Sequence, residues 1–210
     1  MSRKPLIIIG AGGHAKVLID ALIESEWEIV GLVDPSIKAG TDYMGFPVLG
    51  NDDVLCTFKP NEVLLVNGIG SLPGKKIRWQ IASSMREKKY AFSKVIHPTA
   101  TIAKNAILEE GSQIMAGAII QPGAQIGRDS IINTGVIVDH DSVVGGNCHL
   151  APGTTLSGGV TIGENTHIGT GVSVVQGVTI GSHSIVGAGT VVYRDISSNT
   201  TCIQSRQWGN

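Results

Sequence analysis

The chain has 210 residues, with 16 Lys and Arg against 17 Asp and Glu and a formal net charge of -1. This near balance argues against a nucleic-acid binder, because such proteins need a basic surface that displaces counterions from phosphates. Hydrophobic residues make up 42 % of the chain and aromatic residues only 4 %, which excludes disorder and predicts a core of aliphatic side chains.

The three cysteines, Cys56, Cys148 and Cys202, are too widely spaced for a disulfide framework or a zinc-ligand pattern. This usage favours a reducing cytoplasm. The apolar run Leu6–Ile9 is too short for a signal-peptide core, and no run approaches the ~20 apolar residues of a membrane helix. We therefore expect a cytoplasmic protein without membrane insertion.

The first part of the chain alternates short aliphatic runs with helix-like stretches. We predict strands at Leu6–Ile9, at Ile29–Val33 and over 63–66, and helices over 15–23 and 75–89. Strands that alternate with helices favour a small parallel α/β layer. This pattern predicts a Rossmann-like domain over residues 1–95.

After residue 95 the period changes to six. Every sixth residue from Ile96 to Val192 is Ile, Leu or Val, and from Ala100 onward the position two residues earlier holds Ala, Ser, Thr, Cys or Val. A period of six fits neither a helix nor a hairpin, whereas a short strand and a tight turn, repeated three times, close a coil after eighteen residues. We predict a triangular β-solenoid over 96–196 with the aliphatic residues inside, and a tail over 197–210, with Trp208, that covers its end.

A glycine motif, Gly10–Ala15, follows the first strand and opens the first helix. Backbone N–H groups and the helix dipole hold phosphates at such a place, and Asp34 ends the second strand where a Rossmann-type site puts an acid on a ribose. Gly68 and Gly70 follow the third strand and could approach the same ligand. A nicotinamide cofactor is disfavoured because the domain lacks a second mononucleotide unit, and a glycine turn that only packs helix on strand stays open. Three nearby charges could pair with a diphosphate, but on an exposed helix we expect them to be solvated: Lys75, Lys76 and Arg78.

Three motifs resemble a known family: the glycine motif, Asn133 leading to Asp139-His140-Asp141, and His149 inside the repeat. They are similar to the left-handed β-helix hexapeptide-repeat acyltransferases, in the branch with a small nucleotide-binding N-terminal domain. That branch includes bacterial N-acetyltransferases of nucleotide-linked 4-amino sugars and sialic acid O-acetyltransferases. The resemblance covers nearly the whole chain and implies a left-handed parallel β-helix after the Rossmann-like domain.

The resemblance also implies roles for individual residues. In the first domain, Gly12, Gly13 and His14 lie near the phosphates or sugar of a sugar nucleotide, and Asp34 lies near the nucleoside. Pro35 follows Asp34 where some relatives have a second acid, so uracil or another base stays open.

Acyl transfer needs a base for the nucleophile and a donor for the oxyanion. His140 lies two residues past an inward position, so it should be exposed, and histidine suits the base at neutral pH. By resemblance His140 is the base, oriented by Asp141 in place of the Glu of close relatives, and His149 donates to the thioester oxygen. Asn133 contacts the sugar, and contacts to coenzyme A fall at Gly158, Thr170 and Ala188.

The leading hypothesis is an acetyl-CoA-dependent N-acetyltransferase acting on the 4-amino group of a nucleotide-linked 4-amino-4,6-dideoxy sugar for the synthesis of a bacterial surface or glycoprotein glycan. UDP is the first choice of nucleotide, and GDP, dTDP and CMP stay open. A three-sided prism with flat faces favours a homotrimer with active sites between subunits. Sialic acid O-acetylation is the nearest alternative. A zinc enzyme of the carbonic anhydrase type would carry two histidines five residues apart, which this sequence lacks, so we expect no metal. A non-catalytic scaffold also stays open. His149 and His167 are eighteen residues apart and should stack in successive coils, and such a polar ladder is expected in an enzyme and in a scaffold alike.

Overall fold

The computed structural model describes residues 4–25 and 27–203. Contacts divide the chain into two compact units, Met1–Pro98 and Thr99–Asn210. Residues 204–210, which include the predicted cover at Trp208, lie outside the described residues. Neither helix of the described chain has the length and apolarity needed to cross a bilayer.

The elements of the first unit are β1 Leu6–Ile9, α1 Gly13–Glu24, β2 Ile29–Val33, β3 Asp42–Tyr43, β4 Phe46–Gly50, a 3-10 helix Asp52–Thr57, β5 Leu64–Asn67 and α2 Ile77–Glu87. The strands form a five-stranded sheet in the order β3-β4-β2-β1-β5. An inner strand, β1, pairs in parallel with β2 and β5 and is buried along its whole length, as its continuous aliphatic run predicts for a strand that is covered on both faces. The predicted Rossmann-like α/β unit is therefore confirmed.

The hairpin of β3 and β4 was not predicted, and it makes the sheet mixed rather than wholly parallel. Its turn residues, Met44 and Gly45, both have left-handed backbone with φ of 56° and 86°, as a tight two-residue hairpin requires. Methionine is no turn signal, and Pro47 argues against a strand. The local sequence therefore concealed the hairpin.

Two-residue strands recur every six residues from the end of the first unit through the second. They are β6 Val95–Ile96, β7 Thr101–Ile102, β8 Ile107–Leu108, β9 Gln113–Ile114, β10 Ile119–Ile120, β11 Gln125–Ile126, β12 Ile131–Ile132, β13 Ile137–Val138, β14 Val143–Val144, β15 His149–Leu150, β16 Thr155–Leu156, β17 Thr161–Ile162, β18 His167–Ile168, β19 Ser173–Val174, β20 Thr179–Ile180, β21 Ile185–Val186 and β22 Val191–Val192. A last strand, β23 Thr201–Cys202, falls outside this rhythm.

The strands of the second unit form three parallel sheets. Strands from β7 to β22 pair residues eighteen apart, such as Ile119 with Ile137, and β21 pairs with β23 at a separation of sixteen, Ile185 with Thr201. Face one contains β7, β10, β13, β16, β19 and β22, face two contains β8, β11, β14, β17 and β20, and face three contains β9, β12, β15, β18, β21 and β23. The predicted triangular solenoid is therefore confirmed.

The inward positions are aliphatic and buried from Ile114 to Val192. At the start of the register Ile102 and Leu108 are half-buried and pack against this core, whereas the prediction is wrong at Ile96, which is 39 % exposed. Ile96 belongs to the first unit, and the first coil has no earlier coil of the described chain on which to stack.

Where the small residue two positions earlier is Ser, Thr or Cys, its side chain can satisfy backbone groups at the corners of the coils. Ser130, for example, donates its hydroxyl to the carbonyl of Gly145 (2.7 Å) and accepts the N–H of Cys148 (2.9 Å). Buried backbone groups need such partners. The position before each small residue has left-handed backbone from 111 to 189, and it holds Gly or one of a few other residues, Asp129, Asp141, Asn147, Asn165 and His183.

Candidate active site

A cavity of about 600 Å³ opens at the carboxyl end of β1 in the first unit. It brings together the first-unit residues predicted from the sequence, Gly12, Gly13, His14, Asp34, Gly68 and Gly70. Sequence reasoning missed Ser71, Leu72 and Ile77, which also line it. These follow β5, so the parallel pairing of β1 with β5 is what places them there.

The glycines of this cavity divide into two kinds. Gly10 has φ +89°, and a methyl group at Gly68 would lie 2.8 Å from the carbonyl oxygen of Ile9, so packing accounts for both. Gly12 and Gly13 have neither constraint, and a methyl group on either would meet nothing within 4 Å. The fold does not need glycine at these two positions, whereas a ligand that approaches the start of α1 closely does.

Asp34 ties the loop after β1 to the end of β2. One carboxylate oxygen accepts the N–H of Ala11 (2.8 Å), and the other accepts the N–H and the hydroxyl of Ser36 (2.9 and 2.5 Å). Burial raises the pKa of Asp34, but the hydrogen bonds from Ser36 and Ala11 outweigh it and hold the pKa below its ordinary value. Asp34 is therefore ionised at neutral pH and shapes the rim of the cavity.

The expectation that Arg78 is solvated is wrong. Arg78 is 2 % exposed, and it donates to the carbonyls of Asn67 (2.9 Å) and Ile69 (2.6 Å). Since α2 begins at Ile77, Arg78 faces β5 and holds the Gly68–Gly70 loop in place. Lys75, by contrast, lines the cavity.

His140 and Asp141 lie in the turn between β13 and β14, on the edge between faces one and two. Nδ1 of His140 is 2.9 Å from a carboxylate oxygen of Asp141, and the side chains are 55 % and 75 % exposed. A carboxylate only accepts hydrogen bonds, so Nδ1 carries the proton and Nε2 presents a lone pair. The hydrogen bond to Asp141 raises the pKa of His140, and the charge of Asp139 adds to it.

Gly158 lies against the His140 ring, one coil further along. A methyl group on Gly158 would come 2.5 Å from Nε2 of His140. The absence of a side chain therefore makes room for the imidazole. Gly123, one coil earlier, does the same for a carboxylate oxygen of Asp141.

His149 and Asn133 meet on face three, where Nδ2 of Asn133 lies 3.2 Å from Nε2 of His149. The other amide atom, Oδ1, accepts the N–H of Thr134 (2.8 Å), which fixes the orientation of the amide. Thr170 and Ala188 are exposed in successive turns on the edge between faces three and one, where the N–H of Gly189 donates to Thr170 (2.8 Å).

The predicted residues of the second unit thus form two sets. His140, Asp141 and Gly158 lie on the edge between faces one and two, whereas Asn133, His149, Thr170 and Ala188 lie on face three and its edge with face one. In a three-sided coil an edge is opposite the third face, so one chain does not bring His140 and His149 together. Their spacing of nine residues, half a coil, already indicated this.

A group of three potential metal ligands in the described chain is Asp20, Glu24 and His97, whose ligand atoms lie within 4.8 Å of one another. It belongs to the first unit and contains none of the histidines of the solenoid.

Comparisons with known proteins agree with this architecture. The family described as PglD N-terminal domain matches residues 5–85. Two hexapeptide families match the second unit, Hexapeptide repeat of succinyl-transferase over 105–140 and Bacterial transferase hexapeptide (six repeats) over 159–194.

Two solved structures match almost end to end. A perosamine N-acetyltransferase variant from Caulobacter crescentus, in complex with CoA and GDP-perosamine, is 36 % identical, with 97 % of this chain and 95 % of that chain covered and a TM-score of 0.89. The acetyltransferase domain of PglB from Neisseria gonorrhoeae FA1090, in complex with acetyl coenzyme A, is 33 % identical, with 97 % of each chain covered and a TM-score of 0.89. The chain belongs to the hexapeptide-repeat N-acetyltransferases of nucleotide-linked amino sugars.

This membership confirms the resemblance seen in the sequence and, through the likeness of fold, the left-handed parallel β-helix. A curated relative, UDP-N-acetylbacillosamine N-acetyltransferase of Bacillus subtilis (strain 168), is 38 % identical over 118 residues, or 54 % of this chain. The match spans about half of that relative's length (52 %).

Proposed function

We propose that this chain transfers the acetyl group of acetyl-CoA to the 4-amino group of a nucleotide-linked 4-amino-4,6-dideoxy sugar. The observation that carries the proposal is the exposed His140–Asp141 pair on a chain that also has a glycine-lined cavity at a helix N-terminus. Family membership supports it, since one relative is a perosamine N-acetyltransferase solved with CoA and GDP-perosamine and another is an acetyltransferase domain solved with acetyl coenzyme A.

In the proposed reaction, Nε2 of His140 takes a proton from the sugar amine as its nitrogen attacks the thioester carbon. The carbon–sulfur bond then breaks, and the thiolate of CoA leaves and takes that proton from His140. Asp141 keeps the proton of His140 on Nδ1, so that Nε2 faces the amine throughout.

His149 is proposed to stabilise the oxygen of the tetrahedral intermediate. In this structure its Nε2 accepts from Asn133, so donation from Nε2 requires a proton there and a shift of the amide. The resemblance implies that the Asn133 amide contacts the sugar. Such a contact would draw the amide away from Nε2 of His149.

The cavity of the first unit is proposed to hold the nucleotide. Gly12 and Gly13 leave the N–H groups at the start of α1 open to a diphosphate, and Lys75 adds a positive charge at the rim. Asp34 accepts one hydrogen bond from Ala11, in the loop after β1, and two from Ser36, so one acceptor position on its carboxylate is left for the nucleoside. Relatives act on UDP- and GDP-linked sugars, and UDP is our first choice.

A homotrimer is proposed because the two sets of site residues lie on opposite sides of one solenoid. Threefold packing of prisms can set the His140 edge of one chain beside face three of its neighbour. A catalytic site then forms in each groove. The reaction is placed in the cytoplasm, as the cysteine usage predicts.

The test follows thiol release from acetyl-CoA with UDP-, GDP- and dTDP-linked 4-amino sugars, and with free and CMP-linked sialic acid. We expect turnover with one of the amino sugars. His140→Ala should lower kcat about 100-fold or more. The control variant is His183→Asn, which should leave kcat unchanged, because His183 lies at an exposed turn position that Asn occupies in other coils. Turnover with sialic acids alone would favour O-acetylation instead, and normal turnover of His140→Ala would reject the base.

The groove is tested by co-expressing His140→Ala with His149→Ala. Each variant alone should be inactive, and mixed trimers should recover part of the activity, because some grooves then contain both intact histidines. Absence of recovery, with a mixed trimer shown by mass, would contradict a shared site.

A further inference from the structure

The column of outward side chains on face three contains two imidazoles between aliphatic neighbours. The first residues of its strands run Gln113, Ile131, His149, His167 and Ile185 in successive coils. Ile131 is buried, and His149, His167 and Ile185 are half-buried. His167 therefore packs directly on His149 rather than standing in solvent.

The two rings meet edge to face, with their centroids 4.8 Å apart and their planes at 76°. Aromatic rings prefer this arrangement, because the positive edge of one ring meets the negative face of the other. It fixes the rotation of the His149 ring from the side of the following coil.

The His149 ring is fixed from the other side by Asn133. Because Oδ1 of Asn133 accepts the N–H of Thr134 (2.8 Å), its Nδ2 is the donor, so Nε2 of His149 accepts and the proton lies on Nδ1. Ring orientation and tautomer are thus coupled, since a rotated ring would break the bond from Asn133.

One ring nitrogen of His167 has no hydrogen-bonding role among the described residues that would explain the position of this ring. Its Nδ1 is buried and makes no hydrogen bond within residues 4–25 and 27–203. Burial lowers the pKa of His167, so its ring stays neutral at neutral pH and does not repel a proton gained by His149. A neutral, flat ring is what packing on His149 requires.

We propose that His167 is a positioning residue that holds the His149 ring, through edge-to-face packing, in the orientation that Asn133 completes. The inference rests on the proposed function, because it gives His149 a task in acetyl transfer. It explains the polar ladder as a support for one active-site ring rather than as a solvated face.

The test compares His167→Ala, which removes the ring, with His167→Phe, which keeps a neutral ring, and with His183→Asn as the control. Two quantities are measured: kcat for acetyl transfer, and the tautomer of His149 from the imidazole ¹⁵N shifts of histidine-labelled protein. A role in folding alone would move the melting temperature but not the tautomer.

We expect His149 of the wild type to carry its proton on Nδ1. In His167→Ala the His149 ring should turn away from Asn133, so the tautomers should mix. We expect kcat to fall by about 10- to 100-fold, because a turning ring seldom aligns Nε2 with the thioester oxygen, whereas His167→Phe should keep kcat within about threefold. Unchanged kcat and tautomer in His167→Ala would overturn the proposal, and so would a His167→Phe variant as impaired as His167→Ala. If the wild type transfers no acetyl group, the proposed function fails, but the ¹⁵N comparison still decides whether His167 positions His149.

Discussion

Nδ1 of His140 and a carboxylate oxygen of Asp141 lie 2.9 Å apart, and the left-handed backbone of Asp141, with φ 57°, makes this contact between neighbours possible. The residue that orients the base is thus also the residue that turns the coil. Asp tolerates left-handed backbone better than longer side chains do. The shorter side chain, which left the contact open in the sequence, is therefore suited to its place.

Replacing Asp141 by Asn should separate these two tasks. Asn147 and Asn165 already occupy the same turn position at φ 57° and 58°, so the coil should be unaffected. The hydrogen bond to Asp141 raises the pKa of His140, so the variant should move the acid limb of kcat/KM to lower pH. Its plateau should fall by about tenfold or more, because the base is weaker and less well oriented. An unchanged pH profile would show that Asp141 does not act on His140.

Replacing Gly158 by Ala should displace the base without disturbing the coil. The new methyl group would come 2.5 Å from Nε2 of His140, and the half-exposed ring can only move outward. We expect kcat to fall by about 10- to 100-fold, with little change in melting temperature. In the matched variant Gly146→Ala the nearest atom lies 3.4 Å away, on Arg128, and kcat should be normal. Equal kcat for both variants would mean that Gly158 does not shape the site.

Replacing Gly13 by Ala should change stability and nucleotide binding in opposite directions. Gly13 begins α1 and has open space beside it, so Ala should stabilise the first unit by about 0.5 kcal/mol. The same methyl group would enter the space proposed for the diphosphate, and the Kd of the nucleotide sugar should rise about tenfold. Denaturation and calorimetry measure the two effects. Tighter or unchanged binding would remove Gly13 from the nucleotide site.

Replacing Asp34 by Asn should weaken the first unit in a pH-dependent way. The folded-state pKa of Asp34 is lowered, so its contribution is present above its unfolded pKa, near 4, and is lost as pH falls through the lower folded value. At pH 7 we expect a loss of about 1 kcal/mol, since the hydrogen bonds are partly exposed. The gap between wild type and variant should close at lower pH. Glu28→Gln, an exposed change in the same unit, provides the control, and a gap that does not depend on pH would contradict the account.

The sequence predicted the solenoid well because its signal is redundant. Each inward position is repeated in every coil, so an error at Ile96 did not disturb the register read from Ile114 to Val192. The hairpin at Met44 and Gly45 had no such repetition. Its turn depends on backbone that methionine rarely adopts, so the sequence contained no usable signal for it.

The site was only partly accessible from the sequence, for a different reason. The histidine motif marked His140 and His149, but the contacts that govern them lie eighteen residues away, in Gly158 and His167. In the first unit, Arg78 was read as a surface charge because its side of α2 depends on where the helix begins. The register between successive coils and the residue at which α2 begins, rather than residue type, determine where these side chains lie.

The strands of the solenoid from β7 to β19 each pair with the strand eighteen residues later. The number of residues inserted or deleted therefore determines which face each later side chain occupies. A deletion of six residues after His140 would keep the aliphatic side chains inside. It would, however, move each later side chain to a different face of the solenoid, so that Gly158 would no longer lie against His140. Removal of eighteen residues beyond the site would shorten the column by one storey, about 4.8 Å, and leave the catalytic edge in phase. The column can therefore gain or lose height by whole storeys while its chemistry stays aligned.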